Sequence, residues 1–262
     1  MQQWIILFRK EIQENIRNFK WMWVPLVFIL LAAMEPVTTY YMPTILKAAG
    51  GLPEGAVFEM PMPNPAEAIM MSLAQLSSLG VLVIALISMG TIAGERKSGV
   101  SELILVKPVS YFNYITAKWA SYILLLLTSL LLALLASWYY VTLFFGSLTI
   151  THILGAFLFY GLWLSLIVTI SIFYNAWISS QGAIAAATIG TVILISTVTS
   201  VFGTKLSWSP ANISGHIHEM LITNAVPSAL YGAAGLTILC IICLLIGTIF
   251  IFQTKYASRK SE

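Results

Sequence analysis

The sequence contains no aspartate, and charged residues of all kinds make up only 9% of its 262 positions. An ordinary soluble domain has about 25% charged residues. The two cysteines, Cys240 and Cys243, both lie in an apolar run, so they indicate neither a disulfide framework nor a zinc site. A Gly-rich phosphate loop followed by lysine is also missing. We therefore predict that the chain is not an enzyme by itself and that it binds no cofactor, metal or nucleic acid.

Apolar residues are abundant instead, at 59% of the chain. A soluble protein this apolar could not cover its own surface, so lipid must be the solvent for most of it. A helix needs about 20 residues to cross the hydrocarbon core of a bilayer. The runs that fit are residues 21–41, 69–93, 119–143, 153–174, 183–203 and 230–252. Because backbone groups in lipid must be bonded within their own segment, we predict an all-α membrane protein with six transmembrane helices.

The first twenty residues have the pattern of an amphipathic helix. Five apolar residues recur at spacings of three and four, with charged and amide side chains on the opposite face. These apolar residues are Ile5, Phe8, Ile12, Ile16 and Phe19. We predict a helix over residues 1–20 that lies in the membrane interface. The alternative is a soluble helix that docks on a partner.

Basic residues are distributed unequally between the two sides of this topology. Eleven lie in the N-terminal arm, in the loop 94–118 or in the tail, and only Lys47 and Lys205 fall on the other side. The positive-inside rule then places both termini and the loop 94–118 in the cytoplasm. The predicted organisation is an interfacial helix (1–20), a six-helix transmembrane domain (21–252) and a cytoplasmic tail (253–262).

Two segments are expected outside the membrane on the opposite side, residues 42–68 and 204–229. Within the second, Ile213–Thr223 can form a short helix that dips back towards the bilayer, provided that it packs on protein. His216, His218 and Glu219 of this segment could touch a divalent ion, but ordinary loop residues are the simpler interpretation.

A few polar residues inside the spans are candidates for a transport pathway. Glu35 is the carboxylate of the first span, and a buried charge there favours a helix-lined path or a basic partner. The alternative is a shallow, hydrated position. Ser165 and Thr169, with Ser171 and Asn175, form a mildly polar stripe on the fourth span. These side chains could line the pathway, or their hydroxyls could bond to their own helix.

Small residues recur every fourth position at the start of the fifth span, at Gly182, Ala186 and Gly190. This spacing lets two helices approach closely, either within one subunit or between subunits. Cys240 and Cys243 resemble a redox motif only by their spacing, and we interpret them as small fillers of an apolar helix.

The loop 94–118 carries six of the 23 charges of the chain. Because lysine and arginine cost about 2.5–3.5 kcal/mol each at the bilayer centre, this segment must lie outside the lipid. Gly99–Val106 can form a short amphipathic helix, which Pro108 ends. A short helix with an apolar face suits docking of a cytoplasmic partner, whereas a merely solvated loop would not need that face.

This loop resembles the pattern shared by permease subunits of ABC-2 type transporters. The matching residues are Glu95, Arg96, Gly99, Glu102, Leu103, Leu105, Pro108, Val109, Ser110 and Lys118. Val100 stands where the family favours threonine, and Tyr111 where it favours arginine. The resemblance extends over the whole chain, from the interfacial helix through six spans to the cytoplasmic termini.

The resemblance implies the membrane half of a bacterial ATP-driven exporter in the inner cell membrane. Such a permease pairs with a second copy or a paralogous permease and with separate ATP-binding subunits, which hold ATP and Mg²⁺. The loop 94–118 would then contact the ATPase, and a second contact would come from Asn175 and Gln181 in the loop 175–182. The alternative function is a membrane assembly or sensory protein that anchors a cytoplasmic partner without transport.

Overall fold

A computed structural model describes residues 2–48, 62–99 and 109–259 of the chain. Within these ranges the structure is α-helical almost throughout and contains no β-strand. The helices are α1 (Gln2–Arg17), α2 (Lys20–Ala48), α3 (Pro65–Gln75), α4 (Val81–Ser88), α5 (Ala93–Lys97), α6 (Tyr111–Phe144), α7 (Ile150–Trp177), α8 (Gln181–Phe202), α9 (Ile213–Thr223) and α10 (Ser228–Arg259). A π-helical turn, Leu76–Gly80, joins α3 to α4.

Six helical stretches of the described chain are long and apolar enough to cross a membrane, which confirms the predicted all-α membrane fold. Spans 1, 3, 4 and 5 are α2, α6, α7 and α8, span 2 is Pro65–Lys97, and span 6 is Ser228–Thr254. We call the end of the bundle that carries α1, residues 94–99 and the turn 178–180 the basic end. The other end is the opposite end.

Span 4 lies at the centre of the bundle. About 67% of its most apolar window is buried, against 28% for span 5 and 22% for span 6. Span 1 packs along span 3, and span 4 packs against spans 3, 5 and 6. Spans 5 and 6 therefore present most of their surface to lipid or to another protein.

Span 1 is longer than predicted. It runs to Ala48 although it contains Pro25, Pro36 and Pro43. Prolines are tolerated in membrane helices where neighbouring groups satisfy the freed carbonyls. The predicted external segment 42–68 is correspondingly shorter, because its first residues belong to α2 and its last residues belong to α3.

The start of α3 is fixed by a capping box. The Asn64 side chain accepts a hydrogen bond from the backbone N–H of Glu67 at 2.8 Å, and the Glu67 carboxylate accepts one from the backbone N–H of Asn64 at 2.9 Å. Pro65 occupies the first helical position, where its missing N–H costs nothing. Span 2 therefore begins at a sharply defined residue.

The short helix predicted between spans 5 and 6 is present as α9, with the expected bounds. Its apolar side chains Ile213, Ile217, Met220 and Leu221 are buried. The helix packs against α7, α3 and α10, so its backbone is covered by protein. Asn224 ends α9 in the left-handed region (φ 56°), which asparagine tolerates better than most residues.

The N-terminal helix is confirmed as α1, and it packs against α6 and α2. Its buried side chains are polar, namely Glu11 and Asn15, whereas Ile5, Ile16 and Phe19 are at least half exposed. Exposed apolar side chains beside a bundle of membrane helices suit a helix that lies in the interface.

Candidate functional site

Charged side chains from three helices meet at the basic end. The Lys118 ammonium of α6 lies 2.8 Å from the Glu11 carboxylate of α1 and 2.9 Å from the Glu95 carboxylate of α5. Lys10 pairs with the same Glu95 oxygen and lies 2.9 Å from Glu11. The Tyr114 hydroxyl donates a further hydrogen bond to Glu95. We call Lys10, Glu11, Glu95, Tyr114 and Lys118 the charged cluster.

The charged cluster is largely removed from water. The side chains of Lys118, Glu11 and Glu95 are only 2%, 6% and 8% exposed. Buried ions are tolerated when they are paired and hydrogen-bonded, and here two carboxylates face two ammonium groups. Burial opposes the charged form of Lys10, but Glu11 and Glu95 more than offset it and raise the pKa of Lys10 above its usual value. The two ammonium groups and the two carboxylates of the cluster therefore balance in formal charge.

Three carboxylates at this place lie close enough for a metal ion to be considered. Glu11, Glu14 and Glu95 each offer one oxygen, and these oxygens are within 4.8 Å of one another. However, Lys10 lies 3.1 Å from Glu14, and both Lys10 and Lys118 contact the other two acids. The ammonium groups already supply the positive charge that a cation would bring, so we assign no metal here.

Asn175 closes a break in span 2. Its side-chain oxygen accepts hydrogen bonds from the backbone N–H groups of Ile92 and Ala93, at 3.1 and 3.2 Å. Its amide nitrogen donates to the carbonyls of Ser88 and Ser171, at 3.0 and 2.9 Å. These bonds satisfy the orphan backbone groups where α4 ends and α5 begins. These bonds join span 4 to span 2. Because Asn175 is fully buried, it offers no surface to a partner.

Two further contacts join the same regions. Arg96 donates from Nη2 to the carbonyl of Ala176 at 2.9 Å. The side chain of Gln181 covers Gly90 and Gly94, where an added Cβ would come within 3.2 and 3.1 Å of its Nε2 atom. The two segments that were predicted to contact an ATPase thus form one unit at the basic end. We call residues 90–99 and 175–181 the paired segments.

The predicted coupling residues differ in their exposure. Glu95 and Asn175 are buried, Arg96 and Gln181 are half-buried, and Gly99 adopts a left-handed backbone (φ 74°) that suits glycine. Glu102, Leu103, Leu105 and Pro108 lie outside the described residues, as does most of the predicted helix Gly99–Val106. Glu95 and Asn175 therefore serve as anchors of the paired segments.

The predicted pathway residues of span 4 are buried inside the subunit. Ser165 donates to the Gly161 carbonyl and Thr169 to the Ser165 carbonyl, each at 2.7 Å. The indole N–H of Trp119 donates to the Thr169 hydroxyl at 2.9 Å. This pattern favours the interpretation that the hydroxyls bond to their own helix and to span 3.

Glu35 lies in the half of span 1 that is nearer the opposite end. It is half-buried between the exposed Met34 and the buried Pro36. Among the described residues it has no hydrogen bond or ion pair with another side chain. Both interpretations of Glu35, a path residue and a hydrated boundary residue, agree with this position.

The stripe of small residues on span 5 faces outward. Ala186 is exposed, and a Cβ added at Gly182 or Gly190 would meet nothing within 4 Å. The close approach that this spacing permits is therefore not used within the described subunit, and contact with a second subunit is the alternative that stays open.

Comparison with known proteins places the chain in a family. No protein-family model matches it. It is 30% identical over 258 residues to the uncharacterized transmembrane protein YxlG of Bacillus subtilis (strain 168), an alignment that covers 98% of this chain and all of YxlG. The chain belongs to the family of YxlG. The printed description of YxlG as a transmembrane protein agrees with the six apolar helices, and this chain is accordingly a multi-pass membrane protein.

The sequence does not predict the partners of Glu95. Lys118 matches the loop pattern as a single residue, and no motif marks Lys10, Glu11 or Tyr114 as site residues. The separations of 107 residues between Glu11 and Lys118 and 85 between Lys10 and Glu95 explain why. The burial of Glu11, which requires a basic partner, becomes visible only in the structure.

Proposed function

We propose that this chain is the membrane-spanning permease subunit of an ABC transporter and works as an exporter driven by a separate ATP-binding subunit. The observation that carries the proposal is the position of the loop that resembles the ABC-2 pattern. Glu95 lies at the start of this loop and Lys118 at its end, and both belong to the charged cluster. A partner that moves the loop would therefore act directly on spans 2 and 3 and on α1.

The paired segments extend this connection to spans 4 and 5. Arg96 is hydrogen-bonded to the carbonyl of Ala176, and the neighbouring Asn175 is hydrogen-bonded to the end of α4. A displacement of Arg96 would therefore also move these parts of spans 2 and 4. Gln181 adds contacts at Gly90 and Gly94. Four of the six spans are thus tied together beside the proposed docking loop. Rotation of such a unit about the rest of the bundle is a hinge-type change of the kind that opens and closes transport pathways.

The energy for such a change would come from the partner. The chain lacks the phosphate-binding loop of nucleotide-hydrolysing proteins. ATP and Mg²⁺ would be held by the ATP-binding subunits, and two permeases would form the membrane half of the complex, either as two copies or as a pair of paralogues. The exposed small residues of span 5 offer one face for contact between them.

The proposed location is the inner membrane of a bacterial cell, with both termini cytoplasmic. The support is the distribution of the basic residues in the sequence, eleven of which fall in the N-terminal arm, the loop 94–118 or the tail, and two on the other side of the predicted topology. The proposed docking surface would then face the compartment that contains ATP.

Leu103 provides the test of the docking role. The variant Leu103→Asp puts a carboxylate on the apolar face of the predicted helix Gly99–Val106, and the matched control Ser101→Asp puts the same charge on its polar face. Each variant is purified from membranes in which it is expressed with the proposed ATP-binding subunit. A buried unpaired charge costs several kcal/mol, so we expect Leu103→Asp to lose the ATPase and Ser101→Asp to retain it.

The result also separates the proposal from a purely anchoring protein. An anchor would hold its partner without stimulating it, whereas a permease should change the rate of ATP hydrolysis in the reconstituted complex. Equal recovery of the ATPase with both variants would remove the docking role from this loop. A complex that forms normally but whose ATPase rate ignores the permease would favour the anchoring protein.

A further inference from the structure

An apolar groove lies between spans 4, 5 and 6 and has a volume of about 490 Å³. Its walls come from α7, α8 and α10, and one end is formed by Pro210 of the segment between spans 5 and 6. The side chains used in the argument below are Phe173, Tyr174, Thr191, Ile195, Cys240 and Leu244. The volume falls within the range of about 300–1,000 Å³ that is usual for binding sites of small molecules.

The lining is apolar in a way that excludes water. Among the lining residues that the structure describes, the hydroxyl groups are those of Tyr174 and Thr191, and their oxygens lie 2.7 Å apart. Thr191 also donates to the carbonyl of Ala187 at 2.8 Å. A bound water needs two to four polar partners, and these hydroxyls already bond each other. The occupant must therefore be apolar along its length.

The position of the groove along the membrane-spanning helices indicates which apolar molecule can reach it. Cys240 and Leu244 lie 12 and 16 residues after Ser228, or about 18 and 24 Å along α10. Ile195 lies seven residues before the end of α8. These positions correspond to the hydrocarbon core of the bilayer, so the groove opens towards the acyl chains of the lipids.

A second copy of the chain would not cover the groove if it used the small residues of span 5. At 100° per residue, Thr191 and Ile195 lie about 160° around α8 from the centre of the stripe Gly182–Ala186–Gly190. The stripe and the groove are thus on opposite faces of the helix. Close helix packing on the stripe would leave the groove open to the bilayer.

We propose that the groove is a binding site for the acyl chain of a bilayer lipid. The chain enters between spans 5 and 6, which both pack on span 4, lies along Phe173, Ile195 and Leu244, and ends against Pro210 or the Tyr174–Thr191 pair. Cys240 and Cys243, the two cysteines of the protein, form part of the wall. This inference rests on the fold and does not depend on the proposed transport function.

Photo-crosslinking in a defined membrane tests the site. The full-length protein is reconstituted into vesicles of phosphatidylethanolamine and phosphatidylglycerol that contain a trace of phospholipid with a diazirine at the middle of one acyl chain. After irradiation, the labelled residues are mapped by mass spectrometry. The reference residue is Ile242, which is 49% exposed and lies on the face of α10 opposite to the groove. We expect labelling of Phe173, Cys240 and Leu244 to exceed that of Ile242.

A pair of tryptophan variants supplies the matched control. Ile195→Trp fills the groove, whereas Leu194→Trp adds the same ring to a neighbouring side chain that is 63% exposed. We expect Ile195→Trp to lower labelling at Phe173 and Leu244 by about tenfold, since the occupied volume is lost. Labelling at Ile242 should not change in either variant.

Several results would overturn the proposal. Uniform labelling of groove and reference residues in the unmodified protein would mean ordinary contact with the lipid annulus, and this comparison holds even if Ile195→Trp fails to fold. Unchanged groove labelling in a folded Ile195→Trp protein would have the same meaning. Absence of lipid label together with a Cys243–Cys243 crosslink between subunits would mean that a second copy fills the groove.

Discussion

At the scale of single residues, the charged cluster is unusual because the chain has so few charges. Replacing a buried ion cluster with apolar side chains is often neutral for stability, but removing one partner leaves an uncompensated charge. Here Lys118 pairs with two carboxylates from different helices, so its loss would leave the half-exposed Lys10 as the remaining ammonium partner of both Glu11 and Glu95. We infer that the cluster fixes the position of α1 against spans 2 and 3.

The variant Lys118→Met tests this function of the cluster. It keeps most of the side-chain volume and removes the ammonium group, and we expect a loss of about 3–5 kcal/mol in the free energy of unfolding. The measurement is denaturation in detergent, followed by circular dichroism. The control is Lys97→Met, which removes the same charge from an exposed position and should cost within about 0.5 kcal/mol. Adding Glu11→Gln and Glu95→Gln to Lys118→Met should recover part of the lost free energy of unfolding. Equal stability of Lys118→Met and Lys97→Met would contradict the role of the cluster.

Glu35 gives a second prediction at this scale. Glu35→Gln keeps the shape and hydrogen-bonding capacity of the side chain and removes its charge. If Glu35 lines a transport path, substrate-stimulated ATP hydrolysis should fall although the ATPase still co-purifies. If Glu35 is hydrated at the membrane boundary, both properties should stay normal. Because Glu35 has no ion pair among the described residues, we expect at most a partial decrease, and full activity would remove it from the site.

At the scale of elements, span 2 is the irregular helix of the bundle. Its π-helical turn lies beside Tyr160, which is fully buried on span 4. The Tyr160 hydroxyl donates to the Leu73 carbonyl at 3.2 Å and lies 2.8 Å from the Ser77 hydroxyl, which donates to the same carbonyl at 2.9 Å. We infer that the two hydroxyls draw the Leu73 carbonyl away from the regular ladder and produce the π-turn, because side chains that insert into the ladder disturb a helix at that point.

Hydropathy located the helices better than it located such irregularities. Ile213–Thr223 was predicted as a possible short helix and forms α9, and each predicted span coincides with an observed helix, although the ends of spans 1 and 3 differ by seven and eight residues. The number of helices is easier to predict because backbone bonding in lipid leaves little choice. The π-turn and the break between α4 and α5 were not predicted. Both depend on side chains of span 4, Tyr160 and Asn175, which lie more than 80 residues away in the sequence.

The variant Tyr160→Phe tests the origin of the π-turn. It removes one buried hydroxyl while Ser77 keeps its bond to Leu73, so we expect a loss of about 0.5–1.5 kcal/mol in the free energy of unfolding. Amide hydrogen exchange of residues 76–80 should slow, since the turn can return to the tighter α-helical ladder. Tyr139→Phe removes a hydroxyl from a side chain that is 63% exposed and should change neither property. Unaltered exchange in a folded Tyr160→Phe protein would assign the turn to another cause.

At the scale of the whole molecule, composition carried most of the prediction. A chain with 59% apolar and 9% charged residues is predicted to fold in a lipid bilayer. The six apolar runs of sufficient length then predict the number of spans. What composition could not give is how the ends of the spans are held together. The charged cluster and the paired segments connect α1, spans 2 to 5 and the loop of the proposed ATPase contact, and they do so through pairs that are distant in the sequence.

The orientation of this bundle is the last prediction. The chain crosses the membrane three times between Ser98 and Ala225 and twice between Gln13 and Ser98. Single cysteines are placed at Gln13, Ser98 and Ala225, all of them exposed, in a background that carries Cys240→Ala and Cys243→Ala. An impermeant maleimide applied to intact cells should label Ala225→Cys alone, because the basic residues hold the other two positions inside. After the membrane is opened, all three should react. Labelling of Ser98→Cys and Ala225→Cys from the same side would require an even number of crossings between them. That result would overturn the six-span topology. Labelling of Gln13→Cys and Ser98→Cys, but not of Ala225→Cys, in intact cells would keep the six spans and reverse the orientation. In that case the proposed docking surface would face away from ATP, and the transporter assignment would fail with it.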